Sequence, residues 1–158
     1  IALELHPGFC VYNPATCLRL RAAVGDIIGA NVDPSHLFWQ GMDILEVIRD
    51  LGATKAIHYF HAKDTQLFGH NIRRNGVLDT TSLADIPNRA WAFRTLGYGH
   101  GEGLWKQIFS ALKIAGYDDT ISIEHEDALM SPKEGLEKAI RLVKESIITE
   151  SNENLFWA

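Results

Sequence analysis

The chain has 158 residues, of which 46% are hydrophobic and 22% are charged, and its formal net charge is -5 at pH 7. This profile is typical of one globular domain and excludes disordered, collagenous and coiled-coil proteins. No apolar run reaches the roughly 18 residues that span a membrane, so we expect no membrane partner. The mild acidity argues against a nucleic-acid partner, because such proteins usually carry a basic stripe.

Two cysteines, Cys10 and Cys17, form no CxxC pair, which excludes zinc-ribbon and thioredoxin-type motifs. We interpret both as buried small hydrophobic side chains in a reducing compartment, which predicts a cytoplasmic protein. A disulfide between them is the less favoured alternative. The chain begins with Ile1 rather than Met and leads directly into a strand-like segment without a signal peptide, so we expect it to start in mid-fold.

Four short apolar runs predict the buried strands of a parallel sheet. These runs are residues 1–6, 27–32, 56–60 and 120–123. Each run precedes a segment of helical period, and these segments are residues 14–25, 43–52, 104–114 and 131–147. The alternation predicts an α/β fold of four right-handed parallel βα units.

The connections between these units differ in length. Residues 33–36 are expected to form a short loop after the second strand. The polar stretch of residues 65–101 is expected to be a long loop, and loops of that length are usually functional or disordered. A tail over residues 149–158 ends in apolar side chains that are expected to pack against the domain.

Four side chains that can bind a hard metal ion lie at the predicted strand ends: Glu4, Asp33, His61 and Glu124. The carboxyl ends of parallel strands open on one face, where active sites of such folds lie. Three carboxylates in a small space would repel one another without a cation. Carboxylate oxygens with one imidazole predict a divalent metal ion, Mn²⁺ first, with Mg²⁺, Co²⁺ or Zn²⁺ as alternatives.

Each of these residues also has a purely structural interpretation. A strand-end Glu can cap a helix or pair with an Arg. Asp33 precedes Pro34 and can form an Asx turn. His61 can be a core histidine bonded to a backbone carbonyl. The coincidence of all four at strand ends favours the metal site.

Five further residues are candidates for binding a substrate. His6 and His36 are expected on the same face as the strand ends, where they could bind substrate oxygens. His100 lies in a glycine-rich turn that could close over a ligand. Lys63 and Arg94 could bind a substrate phosphate or carboxylate, or could be solvated surface residues.

Five short motifs lie at or beyond the predicted strands: residues 3–7, 31–36, 61–64, 97–101 and 123–126. Together they resemble the sugar phosphate isomerase/epimerase family with a xylose isomerase-like TIM barrel. The resemblance implies that residues 1–148 correspond to the C-terminal half of the barrel, strands five to eight, followed by the tail at 149–158.

The resemblance also implies a chemistry. Glu4, Asp33, His61 and Glu124 would be the metal ligands, and Glu4 and Glu124 would move a proton next to a ketose carbonyl through a cis-enediolate. The metal ion would bind sugar oxygens and stabilise the developing charge. Cys10 stands where ketose epimerases of this type have a second Glu, so their substrate specificity does not transfer.

Other interpretations remain open at this stage. The chain could be a metal phosphodiesterase related to endonuclease IV, although few ligand-type residues line the strand ends and the chain is not basic. It could also be a non-catalytic half-barrel module. An isolated half-barrel has open sheet edges, so we expect self-association.

Overall fold

The computed structural model describes residues 1–150 and contains an α/β arrangement of short strands and helices. The strands are β1 (Ala2–Glu4), β2 (Gly29–Val32), β3 (Ile57–Ala62), β4 (Asp64–Leu67), β5 (Trp91–Arg94) and β6 (Ile121–Ile123). The α-helices are α1 (Pro14–Val24), α2 (Pro34–Phe38), α3 (Ile44–Gly52), α4 (Gly69–Asn75), α5 (Glu102–Ile114) and α6 (Pro132–Ser146). No helix within residues 1–150 is long and apolar enough to cross a membrane.

Four strands form a parallel sheet in the order β1-β2-β3-β6. The main helices contact one another in the matching order α1, α3, α5 and α6. This arrangement confirms the predicted α/β fold of four parallel βα units, as in part of a TIM barrel, because each crossover helix packs beside the helix of the neighbouring strand. Apolar residues of the sheet and helices form one core, including Val32, Phe60, Ile48, Trp105 and Ile108.

Helix starts follow the local sequence. Asn13 caps α1 by accepting a hydrogen bond from the Thr16 N–H, and the Thr16 hydroxyl oxygen accepts one from the Asn13 N–H, which completes a capping box. Ser131 caps α6 by accepting from the Glu134 N–H, with Pro132 at the first helical position. These caps satisfy N–H groups that have no partner inside the helix.

Two predictions about connections are wrong. Residues 33–36 do not form a loop, because Asp33 accepts the Ser35 N–H at 2.8 Å and caps α2, which begins at Pro34. Residues 65–101 are not one long loop, because β4 and β5 pair as an antiparallel two-stranded sheet with Asp64 opposite Arg94. The backbone pairing of these distant segments outweighs the polar character of the sequence between them.

The prediction of two buried cysteines is half correct. Cys17 is buried in the core, whereas Cys10 is exposed, and neither forms a disulfide. Cys10 lies in the connection between β1 and α1, where its side chain meets no core neighbour. The predicted packing of the tail falls largely on residues 151–158, which lie outside the described residues.

Candidate metal centre

The parallel sheet brings Glu4, Asp33, His61 and Glu124 to one edge. Glu4 is the last residue of β1, Asp33 follows β2, His61 lies near the end of β3, and Glu124 follows β6. One potential ligand atom from each lies within 4.8 Å of the others. These are the residues that strand spacing predicted, and their roles as ligands remain predictions.

His61 lies at the centre of this group. Its Nδ1 is 3.2 Å from Glu4 Oε1, 3.2 Å from Glu124 Oε2 and 3.9 Å from Asp33 Oδ2. The Asp33 side chain is fully buried, whereas the other three are partly exposed. The group therefore has a buried floor, formed by Asp33, and a solvent-exposed mouth, formed by the other three side chains.

Asp33 is a buried carboxyl group with one oxygen that lacks a hydrogen-bond partner among the described residues. Its Oδ2 has no hydrogen-bond partner within residues 1–150. Burial raises the pKa of Asp33 to about 7, despite the opposing effects of Lys63 and the Ser35 N–H. A buried carboxylate oxygen without a partner is costly, so the donor set fits a divalent cation, which would supply both the charge and the bond.

The pKa shifts of Glu4 and His61 also indicate that the centre favours a positive charge. A hydrogen bond from His61 lowers the pKa of Glu4, although burial opposes this effect. The same hydrogen bond to Glu4 raises the pKa of His61, with further contributions from Asp33 and Glu124. The acidic neighbours therefore favour positive charge at the position of the His61 ring, which is the charge that a divalent cation would supply.

His6 and His36 lie beside the centre. His36 Nε2 is 3.6 Å from Asp33 Oδ2, and the rings of His6 and His36 are 4.3 Å apart between centroids. Burial lowers the pKa of His36 to about 4, so its ring is neutral at pH 7. Its buried Nδ1 has no hydrogen-bond partner in the part of the chain that the structure describes. The predicted contact with substrate oxygens remains a prediction.

Lys63 is buried rather than solvated. Its Nζ lies 3.2 Å from Glu124 Oε1, contacts Glu126 Oε2 closely, and stands 4.1 Å from the centroid of the Phe93 ring. Burial by itself lowers the pKa of Lys63, but Glu126, Asp33 and Glu124 outweigh it and raise the pKa. The amine is therefore charged and forms ion pairs with Glu124 and Glu126.

Arg94 and His100 are held by carboxylates other than the four candidate ligands. Arg94 Nε donates to Asp127 Oδ2 at 3.0 Å, and its other nitrogen donates to Gln66. His100 Nδ1 lies 2.8 Å from Asp64 Oδ1. Substrate binding by Arg94 and His100 remains a prediction. In the structure both side chains are held by Asp127, Gln66 and Asp64.

Asp64 and Asp127 are buried acceptors that organise the loops beside the centre. Asp64 Oδ2 accepts backbone N–H groups of Gly97, Gly99 and His100 and the Trp105 indole N–H. Asp127 accepts N–H groups of Thr95 and Leu129 in addition to Arg94. These charged acceptors fix the glycine-rich turn and the loop after β6.

Two residues of the centre were not predicted from the sequence. Asn31 Nδ2 lies 3.3 Å from both ring nitrogens of His61, and Glu126 contacts Lys63. Each lies two residues from a candidate ligand, Asn31 before Asp33 and Glu126 after Glu124. The two-residue side-chain period of extended backbone was the signal that could have identified both.

Comparisons with known proteins agree with this fold. The family model described as "Xylose isomerase-like TIM barrel" matches residues 1–146. The uncharacterized protein YfiH of Bacillus subtilis (strain 168) is 42% identical over 147 residues, which cover 93% of this chain and 46% of that protein. The chain thus spans about half the length of the relative that it matches.

Proposed function

The chain belongs to the xylose isomerase-like TIM barrel family, and from this membership we propose a metal-dependent sugar isomerase or epimerase. One observation carries the proposal: four metal-ligand side chains from four parallel strands converge within 4.8 Å at one sheet edge. Active sites of such barrels lie at this edge. The substrate class is a ketose or its phosphate ester.

Glu4, Asp33, His61 and Glu124 would hold one divalent metal ion, and Mn²⁺ is the ion that we propose. When bound, the ion would act as a Lewis acid toward sugar oxygens next to the reacting carbon. Asp33 supplies a ligand oxygen from the buried floor. Asn31 contacts the His61 ring and would hold its orientation.

Glu4 and Glu124 are the proposed acid and base. Each carboxylate has two oxygens and offers one of them to the four-atom group, so the second can accept or return a proton; in Glu124, Oε1 also accepts a hydrogen bond from Lys63 Nζ. Both side chains are partly exposed at the mouth, where the carbon next to the ketose carbonyl would lie. One carboxylate removes the proton to give a cis-enediolate, and the other returns it.

His36 and His6 are proposed to orient the substrate. A neutral, buried His36 offers an unpaired Nδ1 for a sugar hydroxyl, and its orientation is supported by ring contacts with His6 and Phe93. The exact placement of the reacting carbon between two carboxylates contributes to the rate by itself.

The same observations favour a single-metal site over the clustered zinc ions of an endonuclease IV-like phosphodiesterase. Within residues 1–150, one group of at least three His, Cys, Asp or Glu side chains is close enough to bind a metal ion. The net charge of -5 also gives no electrostatic attraction for a polyphosphate backbone.

Hydrogen exchange into the substrate tests the proposal. The Mn²⁺-loaded chain is incubated with a ketose in D₂O, and NMR should detect deuterium at the carbon next to the carbonyl. Glu4→Gln and Glu124→Gln should abolish incorporation. Glu134→Gln is the matched control, because Glu134 forms an exposed pair with Lys138 on α6. Absence of deuterium with bound Mn²⁺, or equal incorporation in all variants, would refute the proposal.

We also propose self-association and a cytoplasmic location. In the described sheet β1 and β6 each pair with one neighbour, which leaves backbone groups at both edges for a second copy. The two unbridged cysteines suit a reducing compartment. Sedimentation should detect a dimer or larger species, and a monomer at all concentrations would exclude self-association.

A further inference from the structure

The cations beside the candidate metal centre are already neutralised. Only 2% of the Lys63 side chain is exposed, and its amine lies between Glu124 and Glu126. Arg94 is bound to the buried carboxylate of Asp127 and to Gln66. A phosphate group that approached either cation would have to displace a carboxylate that is already in place.

The acidic partners of Lys63 and Arg94 lie in a part of the fold where many TIM barrels bind phosphate. In TIM barrels a phosphate site is frequently built by the loops after the last two strands. The last two strands of the parallel sheet here are β3 and β6, and the chain after β6 supplies Glu124, Glu126 and Asp127. The place where a phosphate site would be expected is therefore lined by carboxylates.

The charges of the loaded centre also do not favour an anion. The ligand carboxylates and Glu126 would carry four negative charges, against one on Lys63 and two on a divalent cation. A dianionic phosphate ester would enter a site with an excess of negative charge, and like charges at these distances repel. A hydroxyl group pays no such penalty.

Beside the candidate ligands, the buried imidazole of His36 also has a ring nitrogen that lacks a partner in the described part of the chain. His36 is 95% buried, being 5% exposed, and its Nδ1 has no hydrogen-bond partner within residues 1–150. The ring lies 5.4 Å from that of Phe93, measured between centroids. A buried imidazole nitrogen beside an aromatic ring suits a sugar hydroxyl and the C–H face of a sugar ring.

From these observations we infer that the substrate of this centre is an uncharged ketose and not a sugar phosphate or sugar acid. The inference rests on the proposed function and narrows its substrate class. Glu126 is the specificity-determining residue: it holds Lys63 and thereby withholds the cation that would otherwise bind a phosphate. Glu126 itself is half exposed, so its side chain can be changed without opening the core.

Calorimetry on the Mn²⁺-loaded chain tests the inference with matched pairs of ligands. The probes are D-fructose, D-tagatose and D-xylulose, each beside its terminal phosphate ester. We expect at least one free ketose to bind at least about tenfold more tightly than its ester. An ester that binds as tightly as its ketose would overturn the inference and leave the proposed function standing. If Mn²⁺ binds but no ketose and no ester does, the proposed function and the inference fail together.

Two variants test whether Glu126 causes the preference for the free ketose over its phosphate ester. Glu126→Gln should leave Lys63 paired with Glu124 alone and improve binding of the ester relative to the free ketose by roughly tenfold, because one charge-assisted bond from Lys63 to phosphate then becomes available. Glu134→Gln, which removes the same charge from an exposed ion pair, should leave the ratio unchanged. Circular dichroism verifies that both variants are folded. An unchanged ratio in folded Glu126→Gln would refute the role of Glu126.

Discussion

Substituting Asp33 by Asn should stabilise the metal-free chain while abolishing its response to metal. The Asp33 side chain is fully buried, and burial raises its pKa from the ordinary 3.8 to about 7. At about 1.4 kcal/mol for each tenfold change in acid constant, ionised Asp33 destabilises the folded chain by up to about 4 kcal/mol. Asn keeps the cap on the Ser35 N–H without the charge.

The pH dependence gives the sign of this effect. Between pH 3.8 and about 7 the folded state binds more protons at Asp33 than the unfolded state does, so this residue makes stability fall as pH rises through that window. Asp33→Asn should therefore raise the free energy of unfolding by about 2–4 kcal/mol near pH 8, with an effect near zero at about pH 4. Urea denaturation monitored by circular dichroism measures both values.

Metal ion should reverse the order of the two proteins. Free Mn²⁺ at about 1,000 times its Kd should stabilise the wild-type chain by about 4.1 kcal/mol, because the ion binds only the folded state, and this gain matches or exceeds the advantage of the variant. Asp33→Asn should gain far less, since it lacks one ligand. A variant that is less stable than wild type in the absence of metal near pH 8, or a stability difference that is equal at both pH values, would contradict the proposed cost of the Asp33 charge.

Two further predictions concern the loops around the centre. Gly99→Ala should destabilise the chain by about 1–3 kcal/mol in urea denaturation, because a Cβ there would overlap the Thr65 carbonyl group. Gly103→Ala is the control: a Cβ at Gly103 meets no atom within 4 Å, so this variant should be as stable as the wild type or more stable. Burial raises the pKa of Asp127, but hydrogen bonds from backbone N–H groups and Arg94 outweigh it and hold the pKa below 3.8. Asp127→Asn should therefore cost about 1–3 kcal/mol at neutral pH, and the cost should shrink as pH falls below the ordinary value, whereas a pH-independent cost would contradict the role of its charge.

The parallel sheet and the strand-end residues could be predicted from the sequence, because both depend on local patterns. Buried strands appear as apolar runs, and parallel register then brings their carboxyl ends together. Glu4, Asp33, His61 and Glu124 were found in this way without any knowledge of their contacts. Their convergence follows from the strand order β1-β2-β3-β6.

The rest depends on contacts between distant residues that leave no local pattern. The pairing of β4 with β5 joins Asp64 to Arg94, thirty residues apart, across a polar segment. The burial of Lys63 depends on Glu124 and Glu126 more than sixty residues later in the chain. The sequence around a Lys or an Arg does not show whether its side chain faces solvent or pairs with a carboxylate. The partners of Lys63 and Arg94 therefore could not be predicted.

Titration of the protein with Mn²⁺ determines whether the four strand-end side chains bind a metal ion. Calorimetry at pH 7.5 on the wild type, Glu124→Gln and the control Glu134→Gln compares a candidate ligand with an exposed carboxylate of the same type. We expect one ion per chain for the wild type and the control, and an affinity at least about tenfold weaker in Glu124→Gln. Equal affinity in all three proteins, or no binding to the wild type, would contradict the metal centre.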